Sequence, residues 1–386
     1  MIRRSIPTPS IVVVKVGSAV LAPEGVPDPG SFARLASSIA EARKRGMGVV
    51  LVSSGAVASG FRALGLAKPP KDIALKQAAA AVGQGKLIAR WADALLPHKV
   101  EVAQVLYTAE DLDGRQRFLN ARRTMSELIG AGVVPIVNEN DSVSFAEIKL
   151  GDNDRLSALT SGLVDAGLLL ILSSVAGLYE HGRKGKIVAE VRSIAEAEQH
   201  VQAEKSGVGT GGMQTKLWAA GTATRWGIAT VIASGGEPDV ICRVVDGEPL
   251  GTYFPARERG RTARQRWIET SARPKGTIVV DEGCAAAVVK KGASVLPRGV
   301  VRVETVAISP GGRHGVEGED APSFPRGSPV QVATLAGVVF ARGISSYSSE
   351  EIARIAGKPA NQIASVLGYS YCDEVIHRDD LVLTRV

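Results

Sequence analysis

Short runs of strongly apolar residues alternate with longer helical patterns through the first two thirds of the chain, and this alternation limits the fold more than any other feature. The apolar runs, rich in Val, Ile and Leu, predict strands at residues 11–16, 48–53, 100–106, 133–137, 168–172 and 229–233. Helical periodicity is found between them, at residues 31–44, 72–95, 121–129, 155–164 and 213–226. This order predicts an α/β domain in which a mostly parallel sheet is sandwiched by helices, with ligands beyond the carboxyl ends of the strands.

The pattern changes near Tyr253, which predicts a second domain. Short apolar runs without long helices follow, at residues 277–281, 294–296, 300–304, 329–333 and 338–342. A length of 386 residues is typical of two domains. We therefore expect an α/β domain at 1–256, a linker at 257–275 and a small β-rich domain at 276–386, which includes a long polar insertion loop at 305–326.

The net charge of +7 is concentrated in the predicted linker. Residues 257–275 hold seven Arg or Lys against two Glu, whereas residues 276–386 hold 11 basic and 12 acidic residues. A solvated basic linker is the simpler interpretation of this stretch, and a nucleic-acid patch is the alternative. The near-neutral C-terminal region lacks the basic footprint of a nucleic-acid binder, which argues against RNA as the main partner.

Cysteine usage and hydropathy exclude further classes of protein. The three cysteines are far apart and form no C-x-x-C pair, which argues against a disulfide framework. The apolar run at 168–172 is far too short to cross a bilayer, and the run at 11–14 is interrupted by Lys15, so we expect neither a membrane span nor a signal peptide. The expected location is the cytoplasm, where cysteines stay reduced.

Two of the predicted strands end in residues that suit phosphate binding. Lys15 lies in V-K-V-G-S at residues 14–18, and an ammonium in an apolar strand needs a partner. The second strand ends in S-S-G-A at residues 53–56, where a hydroxyl and helix N-terminal amides offer an anion site. Each feature also has a purely structural explanation. The side chain of Lys15 could extend to the surface, and the serine could serve as nothing more than a helix N-cap.

The densest polar cluster lies between the fourth strand and the helix after it. N-E-N-D-S-V occupies residues 138–143, and G-D-N-D occupies residues 151–154. Turn chemistry alone could explain one such block, but two blocks within one strand–helix unit indicate a site. An EF-hand is excluded because the glycine and distal glutamate of that loop are missing.

A glycine-rich stretch, G-V-G-T-G-G-M-Q-T-K, fills residues 207–216. It matches G-x-G-x-x-G, but no strand precedes it, and it contains no Walker A pattern. Its amides, the helix that follows and Lys216 together suit a polyphosphate, whereas a flexible surface loop would not explain the lysine. The inventory of lysines, glycine amides and carboxylates, without a metal-binding motif, favours phosphoryl transfer and predicts no protein metal ligands.

These motifs resemble the amino-acid kinase family, and within it the branch that phosphorylates glutamate and carries a C-terminal PUA domain. The resemblance rests on K-V-G-S at 15–18, S-S-G-A at 53–56, F-L-N-A-R at 118–122, I-V-N-E-N-D at 136–141, G-D-N-D at 151–154 and G-T-G-G-M-Q-T-K at 209–216. The PUA-like motifs are T-I-V-V-D-E-G at 277–283, A-R-G-I-S-S-Y-S-S at 341–349 and V-I-H-R-D-D at 375–380. The resemblance covers nearly the whole chain.

The resemblance implies a role for each matching residue. Lys15 and Lys216 would neutralise the transferring phosphoryl group, and Asp154 would hold the two lysines in register. Glutamate would be bound by Ser54, Asp141 and Asn153. The implied ATP contacts are Lys15, Ser173, Ser174, Thr210, Gly211, Gly212, Met213, Gln214, Thr215 and Lys216. Relatives commonly carry Thr-Asp or Ser-Asp where this chain has two serines at 173–174.

The implied reaction transfers the γ-phosphoryl group of ATP to the γ-carboxylate of L-glutamate, with Mg²⁺ held mostly by the phosphates. That carboxylate has an ordinary pKa of about 4.3 and needs no general base at neutral pH. The resemblance also implies proline biosynthesis, proline as a feedback inhibitor, a homo-oligomer (dimer or tetramer) and a glutamate-5-semialdehyde dehydrogenase as partner. The alternatives are a sister kinase acting on aspartate, acetylglutamate or a nucleotide monophosphate, and an RNA-binding PUA protein.

Overall fold

The computed structural model describes residues 6, 8–112, 115–143, 152–180, 185–202, 211–257, 263–270, 274–305 and 323–384. These residues form two compact units, of which the first runs to Arg257 and the second starts at Ala263. None of the described helices combines the length and the hydropathy that a membrane span needs.

Strands and helices alternate along the first unit, as the sequence predicts. The described strands are β1 (Ile11–Val16), β2 (Gly48–Ser53), β3 (Val102–Leu106), β4 (Val134–Asn138), β5 (Leu168–Ser173), β6 (Ala229–Ser234) and β7 (Thr252–Phe254). The described helices are α1 (Ser18–Leu21), α2 (Pro29–Lys44), α3 (Ala56–Gly60), α4 (Ile73–Leu95), α5 (Arg115–Gly130), α6 (Asp152–Leu163), α7 (Ile194–Gln202), α8 (Gly211–Arg225) and α9 (Val240–Val245). The short edge strand β7 was not expected.

The first sheet has the strand order β3–β4–β2–β1–β5–β6–β7. Neighbouring strands pair in parallel except at the edge, where β7 runs antiparallel to β6. The central strands are buried on both faces, which explains why they are continuously apolar in sequence. The prediction of a mostly parallel sheet sandwiched by helices is therefore confirmed.

The two faces of β1 meet different helices. Val12, Val14 and Val16 belong to an apolar cluster with residues of α2 and α4, including Phe32 and Trp91. Side chains alternate along a strand, so Lys15 lies on the opposite face, where α6 contacts β1 and also packs on α8. The lysine in the apolar strand therefore faces the two helices that carry the other charged residues of the G-D-N-D and glycine-rich motifs.

Helices α3 and α4 approach each other closely at two glycines. A Cβ added at Gly83 would lie 1.8 Å from the carbonyl oxygen of Ala56, and one at Gly60 would lie 2.0 Å from that of Ala79. No side chain can occupy such positions, so glycine sets the spacing between the two helices. Because α3 starts two residues after Ser54, this contact also fixes the chain at the end of β2.

Replacing Gly83 by alanine should therefore destabilise the first unit by roughly 1–3 kcal/mol, the usual cost of overpacking. Gly85, on the same helix, is a matched control, because a Cβ there meets nothing within 4 Å. Gly85→Ala should be neutral or stabilising, since alanine favours a helix interior by up to about 1 kcal/mol. The midpoints of urea unfolding measure both effects, and equal midpoints for the two variants would contradict the close contact.

The second unit is a small β-rich domain, as the sequence predicts. Its described strands are β8 (Gly276–Val280), β9 (Val300–Thr305), β10 (Pro329–Thr334), β11 (Val339–Ile344) and β12 (Leu381–Leu383), in the order β12–β11–β10–β8–β9. Its described helices are α10 (Ala263–Thr270), α11 (Glu282–Lys291), α12 (Ser349–Ile355) and α13 (Ile363–Leu367). Strand β10 pairs in parallel with β8, and the other pairs are antiparallel.

Two details of the second unit differ from the sequence prediction. The predicted strand at 294–296 is wrong, because Val295 forms only an isolated bridge with Ile376. Helix α11 was not expected, although Asp281 caps it by accepting a hydrogen bond from the backbone N–H of Cys284 at 2.7 Å. Residues 306–322 of the predicted insertion loop lie outside the described residues.

Part of the stretch expected to be a basic linker is a helix. Helix α10 lies within residues 257–275, and it contacts β11 and β12 of the second unit. Its Trp267 and Ile268 are buried, so two apolar side chains anchor a segment whose charge suggested an exposed connector. We therefore place the division of the chain between Arg257 and Ala263, before α10.

Candidate active site

A cavity of about 700 Å³ lies at the carboxyl ends of β1, β2, β4 and β5. In a parallel sheet this edge gathers the residues that follow each strand, and it is the usual position of a ligand site. Most residues singled out from the sequence line this cavity: Lys15, Ser54, Asp141, Asn153, Asp154, Ser173, Ser174, Gly212, Met213, Thr215 and Lys216.

Three of the predicted ATP contacts are not among the described lining residues. Gly211 is the first residue of α8, and Gln214 is an exposed residue of the same helix. Thr210 lies outside the described residues, together with the rest of the glycine-rich stretch before α8.

Asp154 joins two lysines in the cavity wall. Its Oδ1 lies 2.6 Å from Nζ of Lys15, and its Oδ2 lies 3.1 Å from Nζ of Lys216. The hydroxyl of Thr215 donates a hydrogen bond to the same Oδ2 at 2.7 Å, and Lys216 also donates to the carbonyl oxygen of Gly212 at 3.1 Å. Asp154 is 1% exposed and the two lysines are 7% and 12% exposed, so water screens these charges little.

Burial and charge act against each other in this cluster. Desolvation raises the pKa of Asp154, but the ammonium groups of Lys15 and Lys216 outweigh it and hold that pKa below its ordinary value. Desolvation lowers the pKa of Lys15, and the attraction of Asp154 offsets this only in part, so the pKa of Lys15 is also below its ordinary value. One carboxylate between two ammonium groups leaves a positive excess, which suits a further anion.

A network of amides forms another part of the wall. Nδ2 of Asn153 donates to Oγ of Ser54 at 2.8 Å and to Oδ1 of Asn138 at 3.0 Å. Nδ2 of Asn138 donates in turn to Oε1 of Gln84 at 2.8 Å. Oδ1 of Asn153 is buried and has no hydrogen-bond partner within the described ranges. An unpaired buried acceptor in a cavity wall needs a donor from outside the chain, which a ligand or a water molecule can supply.

The turn from β2 into α3 presents Ser54 to this network. Gly55 has a φ of 112°, a left-handed conformation that favours glycine. Just before it, the buried hydroxyl of Ser53 accepts a hydrogen bond from Nε1 of Trp91 at 2.9 Å, and the N–H of Ser54 donates to the carbonyl oxygen of Val16 at 3.1 Å. The position of Ser54 is therefore set by α4 and by β1.

The chain is similar in sequence to known proteins along most of its length. The chain matches the model of the amino acid kinase family over residues 10–234 and that of the PUA domain over residues 316–367. It is 46% identical over 376 residues to glutamate 5-kinase of Thermus thermophilus, and the match covers 96% of each chain. Identity is 44% over 378 residues to glutamate 5-kinase of Pelobacter propionicus, with 96% of this chain and 97% of that one covered. The similarity therefore extends through both units.

Proposed function

This chain belongs to the glutamate 5-kinases of the amino acid kinase family, ATP-dependent kinases with a carboxylate acceptor, and we propose that its Lys15–Asp154–Lys216 cluster is the place of phosphoryl transfer. The products are L-glutamyl 5-phosphate and ADP, in the first step of proline biosynthesis. The observation that carries the proposal is the pair of ammonium groups held by one buried carboxylate in the cavity.

In this mechanism the two ammonium groups neutralise charge on the transferring phosphoryl oxygens. A γ-carboxylate oxygen of glutamate forms a bond to the γ-phosphorus, while the bond from that phosphorus to the β–γ bridging oxygen breaks and ADP leaves with its electrons. The carboxylate is already ionised at neutral pH, so no proton has to move. The main energetic barrier is the repulsion between the carboxylate and the polyanionic ATP, and the two fixed ammonium groups lower that barrier.

We propose that the two substrates lie on opposite sides of β1. Strands β2 and β4 lie on one side of β1, and β5 lies on the other. Ser54 and Asp141 follow β2 and β4, so we propose that glutamate lies on that side, where Asn153 also faces the cavity. Ser173 and Ser174 lie at the end of β5, which is the proposed nucleotide side. Lys15, on β1, then stands between the two reactants.

The proposed nucleotide is ATP together with Mg²⁺. No group of three or more His, Cys, Asp or Glu side chains that could hold a metal ion is found in the described part of the chain. The central carboxylate, Asp154, is engaged by two ammonium groups. The amides at the start of α8 would hold the phosphates, and a Mg²⁺ ion bound with ATP would supply further charge neutralisation there.

Replacing Asp141 by alanine should raise KM for glutamate roughly 10- to 100-fold with a smaller effect on kcat, because a carboxylate that receives the substrate ammonium contributes ground-state binding. KM for ATP should change little. Asp93→Ala, an exposed position on α4, is the control. Steady-state kinetics in both substrates measure these constants. An unchanged KM for glutamate with a raised KM for ATP would place Asp141 on the nucleotide side.

A panel of acceptors tests the proposed function itself. The purified chain is given ATP, Mg²⁺ and hydroxylamine with glutamate, aspartate, N-acetylglutamate or UMP. Hydroxylamine converts an acyl phosphate into a stable hydroxamate, and release of ADP reports on UMP. We expect product with glutamate. Turnover of another acceptor in place of glutamate would assign the chain to a sister kinase of the same family.

The family resemblance supports four finer proposals: feedback inhibition by proline, assembly into a dimer or tetramer, transfer of the product to a glutamate-5-semialdehyde dehydrogenase, and a cytoplasmic location. The product is an acyl phosphate, which is labile in water, so direct transfer to a reductase would protect it. Proline titration of the activity and light scattering of the purified chain test the first two.

A chain truncated after Arg257 should fold and keep its glutamate-dependent kinase activity. The residues proposed for chemistry all precede α9, and the described strands of the first sheet are complete at β7. The cut also leaves α10 with the second unit, to which it belongs. Circular dichroism checks the fold and ADP release checks the activity. A folded but inactive fragment would mean that the second unit contributes to the active site.

A further inference from the structure

One ammonium group in the cavity wall is not used by the mechanism. The basic side chains among the described lining residues are Lys15, Lys76, His200 and Lys216. The first and last are held by Asp154. His200 lies on α7, which packs on α8 and so belongs to the nucleotide side. This leaves Lys76, on α4, as the basic side chain of the glutamate side.

Lys76 lies on the inner face of its helix. The buried residues Ala80, Gly83 and Leu87 follow it at the spacing that shares one face of an α-helix. Its side chain is half-buried, and it has no ion pair or side-chain hydrogen bond within the described residues. A partly desolvated cation without a partner costs free energy, which an anionic ligand would recover.

Glutamate has three charged groups, and the proposed function gives two of them counterparts in the cavity. In that proposal the γ-carboxylate faces the Lys15–Asp154–Lys216 cluster. The ammonium would be received by Asp141 and by the unpaired Oδ1 of Asn153, which both line the cavity. The α-carboxylate still lacks a cation. We propose that Nζ of Lys76 binds the α-carboxylate of the acceptor and thereby selects an α-amino acid, an inference that rests on the proposed function.

The dimensions of α4 agree with this assignment. Gln84 accepts a hydrogen bond from Asn138, which in turn accepts one from Asn153. Gln84 comes eight residues after Lys76, and eight helical residues span about 12 Å. An extended lysine side chain and a five-carbon acceptor fill such a span together. Helix α4 would then fix both ends of the acceptor, one through an amide network and the other through a charge.

The test compares acceptors that differ by a single charged group. 4-Aminobutyrate keeps the reacting carboxylate and the ammonium of glutamate but lacks the α-carboxylate. Lys76→Met should raise KM for glutamate roughly 10- to 100-fold, the usual value of a hydrogen bond to a charged group. The kcat/KM for 4-aminobutyrate should stay near the wild-type value. Lys76→Arg should restore part of the loss, and Lys86→Met, an exposed position on the same helix, should change neither substrate.

Several outcomes would overturn the inference. Equal losses for glutamate and 4-aminobutyrate would show a structural effect, and a raised KM for ATP would move Lys76 to the nucleotide side. An unchanged KM for glutamate would assign the α-carboxylate to the backbone amides around Gly55. The KM values for glutamate and ATP decide the matter even where 4-aminobutyrate reacts too slowly to measure. Absence of glutamate turnover in the wild-type chain would instead reject the proposed function, and the inference with it.

Discussion

Replacing Lys216 by alanine should lower kcat by roughly two to three orders of magnitude, the scale seen when one stabiliser of transition-state charge is removed. Lys216 is 12% exposed, and its Nζ is held by both Asp154 and the carbonyl oxygen of Gly212. An ammonium that is fixed before the substrate binds needs no reorganisation during transfer. The side chain is therefore expected to act on kcat rather than on the binding of glutamate.

Thr215→Val is a milder change in the same cluster, and its effect on kcat can be compared with that of Lys216→Ala. It removes the hydrogen bond from the hydroxyl to Oδ2 of Asp154 and leaves both lysines in place. We expect a loss in kcat of about tenfold, the low end of the range for a hydrogen bond to a charged group. Circular dichroism confirms that each variant is folded. A Lys216→Ala variant with near-normal turnover would contradict the assignment of this residue.

Replacing Asp154 by asparagine should have a still broader effect, because it removes the one carboxylate between two ammonium groups. Loss of one partner from a buried ionic cluster typically costs about 3–5 kcal/mol. We expect a loss of stability on that scale together with a loss in kcat of about a thousandfold, since Lys15 and Lys216 would repel each other instead of facing the phosphates.

The stability difference between wild type and Asp154→Asn should depend on pH. The pKa of Asp154 is lowered in the folded chain, so its contribution is fully present above the unfolded value of about 3.9. The contribution is lost as the pH falls through the lower, folded value. Urea unfolding at neutral pH and in acid measures the change. A difference that is constant across this range would mean that the ion pairs do not stabilise the fold.

The fold was largely predictable because the short apolar runs are continuous and alternate regularly with helical patterns. Strands β1 and β2 lie where the sequence places them, since every position after the first in each strand is buried. Strand β7 could not be foreseen, because it has only three residues and gains its hydrogen bonds from β6. Helix α10 was missed because a basic composition suggested solvent, whereas two buried side chains decide its position.

The lysines and the central carboxylate were predictable because each lies in a compact motif. The amide network was not, because its contacts join residues that are distant in sequence: Gln84 reaches Asn138, and Asn138 reaches Asn153. One signal was present, since Gln84 is a polar residue among small and apolar ones on the inner face of α4. Lys76 stands out in the same way, because it is a lysine at the start of that inner face.

Isotope transfer shows whether the γ-carboxylate of glutamate attacks the γ-phosphorus of ATP. Glutamate labelled with ¹⁸O in its γ-carboxylate is incubated with the chain, MgATP and hydroxylamine, and the released phosphate is examined by ³¹P NMR. Attack of hydroxylamine on the acyl carbon leaves the bridging oxygen on phosphorus, so we expect phosphate that carries one ¹⁸O atom from glutamate. Phosphate formed in amounts that depend on glutamate but free of ¹⁸O would mean that water, and not the γ-carboxylate, attacks the γ-phosphorus.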